Sequence, residues 1–319
     1  LINGAENFRW VLWLHGIGGY AVAVVLIWKG VIIVHAWLRR RRPALPRLGF
    51  LVLTLLVLAI LATGWMWIVV GRTDLWGFSL MTIHALLAIA LLALLIWHTL
   101  YMRFVFRVPS AKNRRAFLRL VGASVGGLLI WPFAERTVGA LNLPGAKRRF
   151  TGSYETGSFT GVFPEVSWLF DRPGPVDPRR WRLVIEGVVE RSLALTYEQL
   201  EQLVDDRRVT TLDCTGGWYS TQEWQGVRVA RLLDMAGVRA SARSITFEAV
   251  SGYGRRFALD EARSLILAMR VAGQPLEHGH GFPARLVAVN HRGFDWVKWV
   301  ARIRVNESSE IWQPPVPLQ

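Results

Sequence analysis

Hydrophobic and polar positions divide this chain into two halves that follow different periods. Up to residue 135 the apolar residues come in four long runs, Trp10–Leu38, Leu48–Val70, Leu80–Phe104 and Phe117–Phe133, with few charges inside them. Each run reaches or approaches the ~20 residues a helix needs to cross a bilayer. Beyond residue 180 the runs are short and mixed. WRLVIEGVV, from Trp181, alternates as a strand does, and SLALTYEQLEQLV passes from strand into a short helix. VARLLDMAG is a short amphipathic helix stopped by Gly237. Further strands are expected at Val209–Leu212, Ser244–Val250, Ala284–Val289 and Lys298–Val305. Residues 139–180 are rich in Gly and Pro, show no period, and read as a linker that wraps the outer domain. The pattern predicts a multi-domain chain: an N-terminal all-α four-helix transmembrane bundle over 1–138, the linker over 139–180, and a C-terminal α+β domain over 181–319. The absence of regular βαβ alternation, and of GxGxxG or GxxxxGK spacing, argues against a nucleotide-binding Rossmann or P-loop unit.

Charge sharpens the first half. A formal net charge of +15 would suit nucleic acid, yet much of the excess lies in clusters beside the apolar runs, and no nucleic-acid motif accompanies it. RRRRPALPR (Arg39–Arg47) joins the first two runs and RFVFRVPSAKNRRAF (Arg103–Phe117) joins the last two, whereas Gly71–Ser79 carries one Arg balanced by Asp74. The positive-inside rule places both basic loops in the cytoplasm. The N-terminus and everything after residue 135 are then extracytoplasmic, on the periplasmic side of a multi-pass cell-membrane protein whose first partner is membrane lipid. Asn113-Arg114-Arg115-Ala116-Phe117-Leu118-Arg119 before a Gly-rich apolar run resembles a twin-arginine export signal. An ordinary basic flank is the bland alternative. With no small-residue cleavage site after it, the segment reads as an uncleaved anchor on a domain folded around a cofactor before export.

Four of seven histidines lie in the apolar runs, where ionisable groups are costly and therefore candidates for function. His15 and His35 share the first run, and His84 and His98 share the third. His84 and His98 are fourteen residues apart, which is about 21 Å of rise and within about 40° of one face. That spacing resembles membrane b-type cytochromes holding two haems. His15 and His35, twenty apart, do not share a face of an ideal helix. The expected haem b ligand pairs are His35 with His98 and His15 with His84, against the simpler reading of imidazoles hydrogen-bonded within the bundle or at its interface. The absence of CxxCH excludes covalent c-type attachment.

The second half holds the chain's single cysteine, in the stretch TLDCTGGW (Thr211–Trp218). A lone Cys214 makes no internal disulfide, so it is either an inert buried thiol or a soft ligand for one metal. The apolar residues before it read as a strand, and Thr215-Gly216-Gly217 permits a tight turn that leaves the thiol at the strand end. His278 and His291 are expected at the surface, and Trp218, Tyr219 and Trp224 as core aromatics.

Five segments in order, VTTLDCTGGW, WQGVRVARLLDMAGV, SGYGRRFALDEA, HGFPARLVAV and WVKWVARIRV, resemble the molybdopterin-binding domain of the sulfite oxidase superfamily over roughly residues 160–306. The flavour is similar to the bacterial branch that includes the catalytic subunit of periplasmic methionine sulfoxide reductase. The resemblance implies that Cys214 is the protein ligand of molybdenum and that His280, Arg285 and Lys298 hold the pterin and its phosphate. It also implies that Tyr253 stands near the metal on the substrate side. A soft thiolate suits a metal already held by dithiolene sulfurs, and a buried phosphate calls for Arg and Lys donors. Sulfite oxidases proper carry an arginine soon after the cysteine; Thr215–Tyr219 supplies none, which counts against a sulfite dianion as substrate unless Arg255 or Arg256 replaces it.

The expected function is a membrane-anchored molybdopterin-dependent oxidoreductase with one or two haems b. It would exchange electrons with quinone and act on a small-molecule, sulfoxide-like substrate by oxygen-atom transfer. Two rivals stand beside it: a sulfite-type dehydrogenase feeding quinone, and a non-catalytic membrane-tethered sensor.

Overall fold

The computed structural model describes residues 5–38, 44–101, 114–168 and 171–313. The chain separates into two compact units, Asn7–Tyr154 and one built chiefly from Glu155–Gln319. The division falls inside the stretch read as a linker.

The first unit is four helices: α1 (Arg9–Leu38), α2 (Ala44–Val69), α3 (Leu80–Tyr101) and α4 (Arg114–Ala140). All four contain a span long and apolar enough to cross a membrane. Their large apolar side chains point outward in number, Ile27 at 81% exposure and Phe133 at 71% among them, so water is not the solvent this surface suits. α1 lies along α4, and α2 along α3. The α1–α4 approach is set by glycine: a Cβ on Gly127 would fall 2.5 Å from the Ile17 carbonyl oxygen. A two-strand hairpin, β1 (Asp74–Leu75) and β2 (Phe78–Ser79), links α2 to α3. Trp67 donates its indole N–H to the Gly152 carbonyl at 2.8 Å, and the Tyr154 hydroxyl bonds back to the Trp67 carbonyl. Of the basic loops, residues 39–43 and 102–113, including Asn113 of the arginine motif, lie outside the described residues, as does the side chain of His35.

The second unit is α+β, with two sheets around one apolar core. One sheet runs β4 (Leu193–Thr196), β3 (Arg182–Gly187), β12 (Val300–Asn306), β7 (Ser244–Ala249), β8 (Gly254–Ala258). Only the β3–β12 pairing in it is parallel. The other sheet is antiparallel: β5 (Asp206–Asp213) on β6 (Trp218–Arg228), β6 on β9 (Ile266–Val271), and β9 on both β10 (Gln274–Pro275) and β11 (Arg285–Val287). Strand β6 alternates buried and half-buried residues along its length, placing Trp218, Ser220, Gln222 and Trp224 on the inner face. Thr196 and Gln199 form a capping box that starts α5 (Tyr197–Gln202). Helix α6 (Val229–Ala236) buries Val229, Leu232, Leu233 and Ala236 and ends at Gly237 with φ +69, the stop its sequence predicts. The expected strands are found in place, but β6, β8 and β9 were not among them; β5 is longer than the four apolar residues suggest, because it extends over Asp206–Arg208, which are polar.

Candidate active site

Cys214 directly succeeds β5 and is buried, at 8% exposure. The turn closes with its N–H donating to the Trp218 carbonyl at 2.8 Å and the Gly217 N–H donating back to its carbonyl at 3.1 Å. Gly217 has φ +88, a conformation that the Gly-Gly pair makes available. The Gly216 N–H points at Sγ from 3.4 Å. Burial pushes the thiol pKa up; the Gly216 N–H and the Arg292 charge oppose the rise. A bound cation is what would hold this sulfur as thiolate.

The cysteine backbone is clamped by a residue that local sequence pattern does not reveal. Arg292 donates Nη2–H to the Cys214 carbonyl at 2.9 Å and pairs through Nη1 with Asp213 at 2.8 Å. Both side chains are almost wholly buried. Gly293 comes next, and a Cβ there would stand 3.2 Å from Cys214 Cα, so the 291–295 loop packs directly against the cysteine.

A cleft with room for about 20 Å³, the scale of one water, is lined by Cys214, Leu212, Trp218, His280, Arg285 and Gly293, with Pro164 and Val166 opposite. Three of the residues expected to hold a pterin meet here because of Gly281. Its φ is +112, and a Cβ on it would stand 3.1 Å from Lys298 Cβ and 3.2 Å from Arg285 Cβ, so only glycine allows the approach. Arg285 donates Nη1–H to the His280 carbonyl at 2.9 Å and lies over the rings of Trp224 and Trp296. Its Nε has no partner, and burial lowers its pKa to about 10. Lys298 donates to Ser167 Oγ at 2.8 Å and to the Gly279 carbonyl at 2.9 Å, with Nζ 4.3 Å from the Trp299 ring centre. Burial, and then the charge of Arg285, lower its pKa to about 7. The His280 ring stacks on Phe163 at 3.9 Å and donates Nε2–H to the Phe163 carbonyl at 2.9 Å. Its Nδ1 has no hydrogen-bond partner, and burial lowers its pKa.

This donor set fits an anionic, soft-metal cofactor. Two cations, each more than nine-tenths buried, have no carboxylate in ion-pair contact among the described residues, while the Cys214 thiol, Arg285 and His280 line one cleft, the His280 Nδ1 having no hydrogen bond and Glu277 Oε2 at 3.8 Å. A buried charge without a partner is costly, and an anion bound between Arg285 and Lys298 offsets that cost. The chemistry fits; for a pterin to enter, the Phe163–Ser167 segment that bonds His280 and Lys298 has to give way.

Tyr253 is buried and donates its hydroxyl to the Phe294 carbonyl at 2.5 Å; it is not part of the cleft lining. Arg255 pairs with Asp295 at 2.7 Å and Arg256 bonds Thr246 and Ser308, so neither lines the cleft in place of the missing arginine. Trp224 is core, whereas Trp218 both packs on Phe163 and lines the cleft. The two histidines expected at the surface are half-buried instead. His278 bonds the Pro173 carbonyl and packs against Trp299, and His291 lies between Asp295 (3.0 Å) and Glu261 (2.7 Å). Pro173, Trp299 and Glu261 are distant in sequence, which is why the local pattern did not reveal them; Asp295, four residues from His291, is the exception.

In the helical unit, His15 and His84 come together, with ring centres 6.0 Å apart and planes at 81°. His84 Nδ1 lies 3.0 Å from Thr63 Oγ1, which itself donates to the Ala59 carbonyl at 2.8 Å. The Thr63 oxygen therefore accepts from Nδ1–H, leaving His84 Nε2 with a free lone pair. His98 is half-buried; its pairing with His35 lies outside the described side chains.

Comparison with known proteins agrees with the site. Residues 170–312 match the family described as oxidoreductase molybdopterin binding domain. The chain is 29% identical over 153 residues to the oxidoreductase YuiH of Bacillus subtilis, covering 47% of this chain and 77% of that protein. It is 30% identical over 172 residues to mitochondrial sulfite oxidase of Mus musculus (43% and 32% covered). It is also 30% identical over 182 residues to inducible nitrate reductase (NADH) 1 of Glycine max (46% and 19% covered). The chain thus spans a third or less of the sulfite oxidase and nitrate reductase relatives. By this match residues 170–312 are a molybdopterin-binding oxidoreductase domain, similar to those of sulfite oxidases and nitrate reductases.

Proposed function

We propose that this enzyme is anchored in the cell membrane by its four helices and reduces a sulfoxide-like substrate at an extracytoplasmic molybdenum site, drawing electrons through b-type haem from the quinone pool, whose quinol is oxidised to quinone. The observation that carries the reading is the pair of buried cations Arg285 and Lys298, without a carboxylate in ion-pair contact among the described residues, near the Cys214 thiol. When bound, the molybdenum pterin supplies two-electron oxygen-atom chemistry. Cys214 gives the thiolate ligand, with Arg292 and Asp213 holding its backbone in place. Arg285 and Lys298 bind the anionic part of the cofactor, and His280 adds a donor when its Nδ1 is protonated, which a nearby anion favours.

A sulfoxide-like oxygen donor suits the cleft better than a sulfite dianion. The arginines outside the cofactor cradle that could attract an anion, Arg255 and Arg292, are each already committed to a carboxylate. In the helices, His15 and His84, whose ring centres are 6.0 Å apart, would hold a b-type haem, which would supply one-electron transfer. The Thr63 bond fixes the tautomer such a ligand needs, in the manner of an outer-shell partner. A second haem on His35 and His98 and the quinone partner rest on analogy with b-type cytochromes.

Metal analysis and a reduced-minus-oxidised spectrum of the purified full chain test both cofactors together. Molybdenum with a b-type α band is expected, and protein with neither overturns the reading. Haem reoxidation by a methyl sulfoxide is expected; rapid haem reduction by sulfite would instead establish the opposite electron flow. His84→Ala is expected to lose at least one haem per chain, and an unchanged haem-to-protein ratio would remove His84 from the ligand set.

A further inference from the structure

Beside Cys214 stands a donor with nothing to donate to. Trp218 is 3% exposed and lines the cleft, yet its indole N–H has no hydrogen-bond partner. Three other buried tryptophans of the unit do find one: Trp224 donates to the Thr210 carbonyl, Trp296 to that of His291, and Trp299 to that of His278. Trp181 also lacks a partner, but it does not line the cleft. A buried indole nitrogen is donor only, and proteins nearly always satisfy it, so an orphan facing a cleft marks a place where something else supplies the acceptor.

A second observation locates that place. A Cβ on Gly216 would stand 3.6 Å from Cys214 Sγ and 3.8 Å from Trp218 Nε1. The sulfur and the indole nitrogen therefore border one methyl-sized space, which residue 216 leaves unfilled because it has no side chain. Gly216 does not need glycine for its backbone, since its φ is not positive, and a Cβ there would meet only ordinary contacts. The turn itself does not require glycine at this position; the open space does.

We propose that Trp218 is a specificity-determining residue whose indole N–H donates to the oxygen of substrate bound over Cys214. This deepens the oxygen-transfer reading given above and rests on it. An S=O oxygen, with two lone pairs and a partial negative charge, is a strong acceptor for a neutral donor. A thioether, having lost that oxygen, is not. The same contact would therefore favour substrate over product and assist release. A neutral N–H adds no net charge, in keeping with an uncharged substrate.

Trp218→Phe keeps the ring that packs on Phe163 and removes only the donor. Gly216→Ala leaves the donor and fills the space before it. Both are made in the full chain, and three quantities are measured: molybdenum content, binding of dimethyl sulfoxide detected by the shift it causes in the Mo(V) electron paramagnetic resonance spectrum, and steady-state sulfoxide reduction. Both variants are expected to keep wild-type molybdenum content. Each is expected to weaken dimethyl sulfoxide binding about tenfold and to raise KM by a similar factor, with kcat within about twofold. Unchanged affinity in both variants overturns the proposal. Loss of molybdenum in Trp218→Phe also overturns it, by assigning the N–H to the cofactor. If the wild type binds sulfite and not dimethyl sulfoxide, the sulfoxide reading falls. A tenfold loss of sulfite affinity in Trp218→Phe would still uphold the donor role, and unchanged sulfite affinity would end it.

Discussion

Two groups of buried cations in the second unit differ in one respect. Beneath the cysteine, Arg292 has Asp213 at 2.8 Å, and at the back of the same loop Arg255 has Asp295 at 2.7 Å. Around the cleft, Arg285 and Lys298 meet carbonyls, a hydroxyl and aromatic faces, with no carboxylate in ion-pair contact among the described residues. All four are buried to a similar degree. Burial alone therefore does not decide whether a cation is given a counter-ion; its role does. The first pair holds the 291–295 loop against Cys214 and is complete within the chain. The second has no carboxylate in ion-pair contact among the described residues: burial lowers Arg285 to about 10, and burial followed by the charge of Arg285 lowers Lys298 to about 7, with the more distant Asp171 and Glu165 opposing the fall.

The contrast breaks hardest at the paired site. Arg292→Leu strands the Asp213 carboxylate in the interior and removes the donor from the Cys214 carbonyl. Such a loss costs about 3–5 kcal/mol, so a strongly lowered melting temperature of the second unit is expected by calorimetry on the full chain. A variant that melts like the wild type would show that Asp213 reaches solvent or another donor, and the distinction between the two groups would weaken.

His291 offers a smaller and reversible perturbation of the same loop. Burial works against its charged form, but the hydrogen bonds its two N–H groups donate to Asp295 and Glu261 outweigh this and raise its pKa to about 9. The raised value means that the folded state binds the proton more tightly than the unfolded chain. The stabilisation is complete below about pH 6.5 and is lost as pH rises through about 9. Its size is on the order of 2 kcal/mol, discounted for a ring that is 25% exposed. Melting temperature measured from pH 6 to pH 10 should fall over the upper part of that range in the wild type. In His291→Gln that fall should be reduced; an identical pH profile would remove the histidine from the loop's electrostatics.

Much of this arrangement was legible in the sequence, for local reasons. Apolar run length gave the four long helices, because a membrane-length span must be continuous. Strand alternation and the Gly-Gly turn placed Cys214 at a strand end, and Gly281 in HGFPAR sits where Arg285 and Lys298 must approach. What stayed hidden depends on contacts between distant residues. Arg292 is 78 positions from the carbonyl it holds, and nothing in HRGFDW signals a partner in the cysteine turn. Tyr253 carries a polar end that the sequence could not direct; the fold commits it to the Phe294 carbonyl. His291 reads as a surface residue until β8 and the 291–295 loop bring Phe257, Asp295 and Glu261 around it. In the helices, straight-helix geometry argued against a shared face for His15 and His35, yet His15 reaches His84 regardless, because that contact needs only one residue from each helix.

The smallest change in stability is expected at the residue whose loss should matter most for the cofactor. Arg285→Met replaces a guanidinium held between Trp224 and Trp296 with an unbranched apolar chain of similar reach. In protein made without molybdopterin, the substitution removes one hydrogen bond, to the His280 carbonyl, and also removes the cost of burying a charge that no carboxylate offsets. These two effects oppose each other and each is about 1 kcal/mol or a little more, so the melting temperature should move by only a few degrees in either direction. In protein made with the cofactor supplied, the same variant should retain much less molybdenum by elemental analysis, because an anion then loses the donor that held it. Arg292→Leu would show the reverse order, with the fold weakened first and the metal lost as a consequence. If Arg285→Met instead destabilised the cofactor-free protein as much as Arg292→Leu does, Arg285 would have to be counted with the cations that serve the fold.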